Sequence, residues 1–175
     1  MPVALCSLAA SLKKANYSVN IIDAFGNKPN QILPDENFYS RGLKLEETID
    51  SVHPETRAIF LYAISLIGHH SVVKILLKLK DKYPQIPIII LENTQAVTAY
   101  SLRKVRQDFY KLGADYVLTG ESEERGIQLI DGIVNNTDVS QLEGVGHINK
   151  DGVDTYLPPS KDYLNLDNLP FPAYE

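Results

Sequence analysis

The sequence predicts a doubly wound α/β domain, a parallel sheet with helices on both faces, and three observations predict it. Short aliphatic runs, Ala58 to Leu66, Ile86 to Leu91 and Tyr116 to Leu118, alternate with helical patterns of about ten residues or more. These runs are apolar at nearly every position, as strands covered on both faces are. Gly68, Gly113 and Gly120, with His53-Pro54 and Tyr83-Pro84, punctuate the boundaries, because a residue before proline avoids helical angles.

Taken in order, Pro2 at a first turn and Leu5, Leu8, Ala9 and Leu12 at helical spacing predict a helix closed at Asn16. Ser18 to Phe25, with Val19, Ile21 and Ile22 before Asp23, reads as a strand broken by Gly26-Asn27. Lys28 to Arg41 holds Pro29 and Pro34 and shows no period, so it reads as a long surface loop. Leu45, Thr48, Ile49 and Val52 give a second helix, and a third runs from about Ser71 to Lys82 between the first two covered strands. Leu102 to Leu112 and Glu121 to Val134 are two further helices, the last stopped by Asn135-Asn136. Val145 to Leu157 alternates around Lys150-Asp151-Gly152, the composition of a tight hairpin, and Pro158 onward reads as a mobile linker unless it folds back on the domain. The organisation expected is an α/β domain over 1–144, a hairpin over 145–157 and a linker over 158–175. Folds of this class open on a central strand, whereas this chain opens on a helix. The first strand is therefore expected to be missing from this stretch, leaving a vacancy beside Ser18 to Phe25 unless another segment fills it.

The 175 residues carry 17 basic and 22 acidic side chains, a net charge of −5, with no Lys/Arg block fit to neutralise a run of phosphates, so nucleic acid is an unexpected partner. No stretch approaches the about 20 consecutive apolar residues that span a bilayer. The apolar start lacks a basic leader and reads as an amphipathic helix, not a signal peptide. One cysteine, Cys6, excludes an internal disulfide, a four-cysteine zinc site and a cysteine-ligated iron-sulfur cluster within this chain, and fits a reducing, cytoplasmic compartment.

In an open parallel sheet, ligands lie beyond the carboxyl ends of the strands. The loops concerned begin at Asp23, Ser65, Glu92 and Thr119. No Gly-rich phosphate cradle is present, since Gly68 and Gly120 stand alone, which argues against a flavin or nucleotide carrier. His69 and His70 follow a strand; capping of the next helix is the reading preferred to metal ligation, because no Cys, Asp or Glu shares a ligand spacing with them. Glu121, Ser122, Glu123 and Glu124 read as a helix cap, Asp23 as a loop-ordering acceptor and Cys6 as a core residue. No nucleophile-base-orienter set emerges, so no catalytic residue and no metal ligand is assigned to this chain.

Three stretches together carry a resemblance. Pro2 to Ala24, a proline, an apolar helix and a run ending Ile21-Ile22-Asp23, resembles the opening of the cobalamin (vitamin B12)-binding domain that precedes a radical S-adenosylmethionine (SAM) domain. Gly113-Ala-Asp-Tyr-Val-Leu-Thr-Gly-Glu-Ser-Glu123 is similar to that family's "Gly-Ala-Asp, strand, Gly-Glu-x-Glu" stretch. Val145-Gly146-His147-Ile148 through Gly152, then Leu166-Asp-Asn-Leu-Pro-Phe-Pro-Ala-Tyr174, resembles the hairpin and "Leu-Asp-x-Leu-Pro-x-Pro" linker leading into the radical domain.

The resemblance implies a Rossmann- or flavodoxin-like fold holding cobalamin at the carboxyl edge of its sheet, with Ser65, Leu66, Gly68, Glu92, Asn93, Thr94, Thr119, Gly120, Glu121 and Ser122 as the cofactor-binding positions. The partner implied is the chain's own radical SAM domain, to which the 4Fe-4S cluster and SAM would belong. This stretch would then be the N-terminal domain of a larger enzyme performing methyl transfer or a radical rearrangement or cyclisation. Two departures stand out. The Asp-x-His-x-x-Gly loop that supplies a lower His ligand is absent, and Glu92-Asn93 stands where the family usually has Gly-Gly, which lets backbone approach the nucleotide tail. The second departure supports an alternative, a degenerate relative acting in protein interaction or substrate recognition without a cofactor.

Overall fold

The computed structural model describes residues 2–35, 38–63, 65–94, 101–160 and 165–174. In chain order these are α1 (Val3–Lys14), α2 (Ala24–Asn27), β1 (Ile32–Asp35), β2 (Phe38–Arg41), α3 (Leu45–Asp50), β3 (Ile59–Ala63), α4 (His69–Lys82), β4 (Ile88–Glu92), α5 (Leu102–Lys111), β5 (Tyr116–Leu118), α6 (Glu123–Asn135), β6 (Val145–Ile148) and β7 (Asp154–Tyr156). Short 3-10 turns cover Leu66–Gly68 and Leu166–Asn168.

The main sheet has the order β3-β4-β5-β6-β7, parallel from β3 to β5 and antiparallel from β5 to β7. Alternation along each covered strand divides the core in two, because successive side chains leave a strand on opposite faces. Ile88 and Ile90 of β4 join Ile49 of α3, Leu76 of α4 and Phe109 of α5 on one face. Ile89 and Leu91 join Leu8 and Leu12 of α1 with Leu129 and Ile130 of α6 on the other. The helix ends follow the predicted stops: Asn16 and Asn136 take left-handed backbone angles at φ 67 and 53. On the second face the Tyr17 hydroxyl donates to the Asp131 carboxylate, tying the exit of α1 to α6.

Three expectations need correction, and a fourth resolves to one of its two alternatives. Ser18 to Phe25 forms no strand: Ser18 to Asp23 belongs to neither sheet and α2 begins at Ala24, and without a paired neighbour a β-rich run builds no ladder. The loop from Lys28 to Arg41 contains the antiparallel β1–β2 pair, docked on the start of α4 by the Asp35–Lys74 ion pair at 2.6 Å and the Phe38–His70 ring contact at 5.2 Å. His69 and His70 lie inside the first turn of α4, whose N-cap Gly68 has no side-chain bond, so they pack on Phe109 and Phe38 instead of capping. The described part of the tail folds back: Ser160 N donates to Glu143, Lys14 Nζ to Asn168 O, and Ala173 N to Cys6 O at 3.0 Å. Of the two outcomes expected for the linker, the described residues take the folded-back one, while Phe171 stays 96% exposed.

No helix among the described residues is long and apolar enough to cross a membrane.

Candidate functional site

Parallel pairing of β3, β4 and β5 brings the ends of all three to one edge, with Ala63 opposite Glu92 and Leu91 opposite Leu118. The predicted positions divide there into two groups. Glu92, the last residue of β4, sends one carboxylate oxygen to the N–H of Leu102 at 3.2 Å and the other to the N–H of Gly120 at 2.9 Å. One side chain thus caps α5 and fixes the loop after β5, using backbone donors that carry partial positive charge at a helix start. Thr119 is buried, its hydroxyl within bonding distance of Gly144 O at 3.1 Å and of the Tyr156 hydroxyl at 3.0 Å. Asn93 and Ser122 are also buried, whereas Thr94 and Glu121 are exposed. Burial raises the carboxyl pKa of neighbouring Glu123, in the first turn of α6.

The second group, Ser65, Leu66 and Gly68, lies one strand away, where the chain leaves β3 through the 3-10 turn. Leu66 is 58% exposed and its neighbour Ile67 87%, an apolar step at the mouth of the edge. Pro159 of the tail comes close to Gly120 on the opposite side.

Sequence reasoning placed Glu92 here but missed its bridging role, and missed Tyr156 and Gly144 as the supports of Thr119. A carboxylate directly after four buried aliphatic residues was the available signal for the first. A cavity of about 400 Å3 opens at the opposite, amino edge of the sheet. There Asp115 accepts from Lys80 at 2.9 Å and from the Ile88 N–H at 2.8 Å, so its charges are already paired. Among the described residues, no group of three or more His, Cys, Asp or Glu side chains is gathered as a metal site.

Removing the Glu92 carboxylate should cost about 1–2 kcal/mol, the penalty of two backbone donors left without their acceptor, discounted for partial exposure. Urea unfolding of Glu92→Ala measures it; a loss within 0.3 kcal/mol (about the error of such a fit) would show that water replaces the bridge.

The fold is a three-layer α/β sheet whose carboxyl edge is built from loops after β3, β4 and β5. Against known proteins, no protein-family model and no curated protein matches the chain. Solved structures do. The chain superposes on TsrM, a radical S-adenosylmethionine methyltransferase from Kitasatospora setae with tryptophan substrate and a SAM analogue bound, at TM-score 0.60 and 14% identity, over 91% of this chain and 28% of that one. A second TsrM structure, with cobalamin and a 4Fe-4S cluster bound, matches at TM-score 0.57 and 15% identity over 98% of this chain and 28% of that one. This chain therefore spans little more than a quarter of the length of those it matches. At such identity the likeness shows a shared fold.

The edge fits a cobalamin unevenly. Leu66 and Thr94 are exposed and Ser65 is half-buried there, apolar and hydroxyl groups suited to the rim of a corrin. Beyond the ends of β4 and β5 the Glu92 carboxylate occupies the Leu102 and Gly120 N–H donors, which are therefore closed to a nucleotide tail while the bridge stands.

Proposed function

We propose that the chain is a cobalamin-binding-like domain serving a radical SAM enzyme. It would hold the corrin against the carboxyl edge, with residues 145–175 leading toward the catalytic domain that carries the 4Fe-4S cluster and SAM. The observation carrying this reading is the shared fold with cobalamin-bound TsrM across nearly the whole chain. Ser65, Leu66, Gly68 and Thr94 would meet the corrin, and Thr119, Gly120, Glu121 and Ser122 the opposite rim. Bound cobalamin would supply a cobalt able to carry a methyl group. The chain's own part is to orient that face and exclude water with the exposed Leu66–Ile67 step.

Titrating the purified protein with hydroxocobalamin, followed by visible absorbance and calorimetry, tests the reading. Saturable one-to-one binding is expected. Glu92→Gly with Asn93→Gly, which frees the Leu102 and Gly120 donors, should tighten it about tenfold, or about 1.4 kcal/mol. The occupied donors themselves favour a second reading, a cofactor-free recognition domain on the same fold. Absence of binding by both the natural protein and the folded double variant would establish that reading in place of the first.

A further inference from the structure

The cavity at the amino edge of the sheet is built from groups that the carboxyl edge does not use. Its volume of about 400 Å3 is that of a small-molecule site, which combines apolar and aromatic walls with a few placed polar groups. Tyr110 near the end of α5, Tyr116 at the start of β5 and His147 of β6 supply three rings, and Pro87 and Ile148 add aliphatic surface. The Tyr116 and His147 rings lie 5.7 Å apart at 39°, and the Thr155 hydroxyl stands 3.2 Å from His147 Nδ1, holding the imidazole in place.

The charges in this cavity cancel, yet hydrogen-bonding capacity is left over. Lys80 Nζ donates to both oxygens of Asp115, at 3.1 and 2.9 Å, and Asp115 also accepts from the Ile88 N–H. An ammonium has three donors and a carboxylate more acceptor sites than these bonds use, so a donor and an acceptor remain side by side. Burial lowers the His147 pKa, which leaves the ring neutral at pH 7, and raises that of Tyr110, which keeps its hydroxyl a donor. A charged ligand would give up its hydration here without meeting an unpaired opposite charge. The Tyr110 hydroxyl is the group that points to a ligand: it is buried and has no hydrogen-bond partner among the described residues. It lies over Gly146, where a Cβ would stand 2.6 Å from it. Native folds rarely leave a buried polar atom unpaired without a reason.

We propose that this cavity binds an uncharged planar ring amide, either an aromatic carboxamide or a heterocycle with a ring lactam. The ring lies against Tyr116 and His147. The amide N–H donates to Asp115 and the carbonyl accepts from Lys80. A small rotation of the Tyr110 ring away from Gly146 brings its hydroxyl to the same carbonyl, whose two lone pairs serve both donors. The site lies on the opposite edge of the sheet from the surface assigned to cobalamin and does not rest on that assignment.

The probes are nicotinamide, a carboxamide, and uracil, a lactam. Nicotinate replaces the amide by a carboxylate, and cyclohexanecarboxamide keeps the amide without the planar ring. Backbone amide shifts of Gly113, Ala114, Tyr116, His147 and Ile148 follow each titration. Saturable shifts with at least one of the two ring amides are expected at a Kd of about 1 mM, the strength open to so small a ligand, with both comparators at least tenfold weaker. The tighter of the two ring amides names the form of the group. Tyr110→Phe should weaken binding about fivefold and leave the urea midpoint unchanged or raised, since it removes an unpaired hydroxyl from the free protein. Lys80→Met should weaken binding by at least as much. Absence of saturable shifts at these residues with both ring amides overturns the proposal. So does equal binding of nicotinate or cyclohexanecarboxamide, and so does undiminished binding by Tyr110→Phe.

Discussion

Asp154→Ala should destabilise the domain by about 3 kcal/mol, because it strands a guanidinium that the fold has taken largely out of water. Asp154 of β7 receives Arg106 Nε at 3.0 Å and Nη2 at 2.9 Å, a two-point grip, and Gln107 Nε2 at 2.9 Å. The two ionic side chains are 21% and 15% exposed, and Arg106 also lies over the Tyr156 ring at 4.8 Å. Exposed ion pairs contribute well under this amount, whereas breaking a mostly buried one leaves its partner uncompensated. The bond joins α5 to the terminal hairpin, and Tyr156 in turn reaches Thr119, so the loss should also loosen the carboxyl edge. Chemical unfolding at pH 7 provides the measurement. A change below about 1 kcal/mol would mean that water reaches Arg106 freely.

The same cluster sets a pH dependence. Burial pushes the Asp154 carboxyl up, but hydrogen bonds from Arg106 and Gln107 and the Arg106 charge outweigh it and hold the group below its ordinary range. A depressed carboxyl contributes stability that is complete above its unfolded value and disappears as pH falls through the folded one. Burial likewise lowers His147 below its ordinary 6.5, the nearby Asp138 and Asp154 charges only partly opposing it. Folding therefore favours neutral His147, and stability falls as pH drops below that value. Two steps of acid loss are expected, one beginning below about pH 6.5 from His147 and one below about pH 4 from Asp154. His147→Gln should remove the first step and Asp154→Asn the second; persistence of both in the double variant would place the acid sensitivity elsewhere.

How much of this was legible beforehand depends on whether the deciding interaction was local. The covered strands at Ile88 and Tyr116 and the helix stops at Asn16 and Asn136 were read correctly, because burial on two faces and left-handed caps leave marks within a few residues. Ser18–Ile22 has the same β-rich composition as β3 and is not a strand, since a strand exists only by its partner. The docked hairpin of β1 and β2 escaped notice for a related reason: Asp35 finds Lys74, 39 residues later, and no local pattern announces that pair. At the candidate edge, the positions were placed from topology, but the Glu92 bridge depends on Gly120 lying 28 residues away. Whether the tail folds back stayed open in the sequence because its docking uses backbone groups, which composition does not reveal.

Gly144→Ala should cost about 3 kcal/mol or more and disturb the same edge from the other side. Gly144 holds φ +75, a conformation that costs a side-chain-bearing residue about 1–3 kcal/mol. A Cβ there would also stand 2.6 Å from Thr119 O and 3.1 Å from Arg125 Cδ. Arg125 can swing aside; the Thr119 carbonyl cannot, since Thr119 N donates to Gly144 O at 2.8 Å and Gly144 N to Leu157 O at 2.7 Å. Relief requires β6 to move off β5, which shifts Thr119 and with it the Gly120 loop that Glu92 holds. Gly152→Ala separates strain from collision, because Gly152 has nearly the same angle, φ +76, and open space around it. That variant should lose only the conformational part, about 1 kcal/mol, with the carboxyl edge unmoved. If the two variants lose equal stability, the Gly144 contact yields without cost and β6 is not seated as tightly on β5 as its hydrogen bonds indicate; if Gly144→Ala alone also weakens hydroxocobalamin binding, the hairpin is part of what shapes the ligand edge.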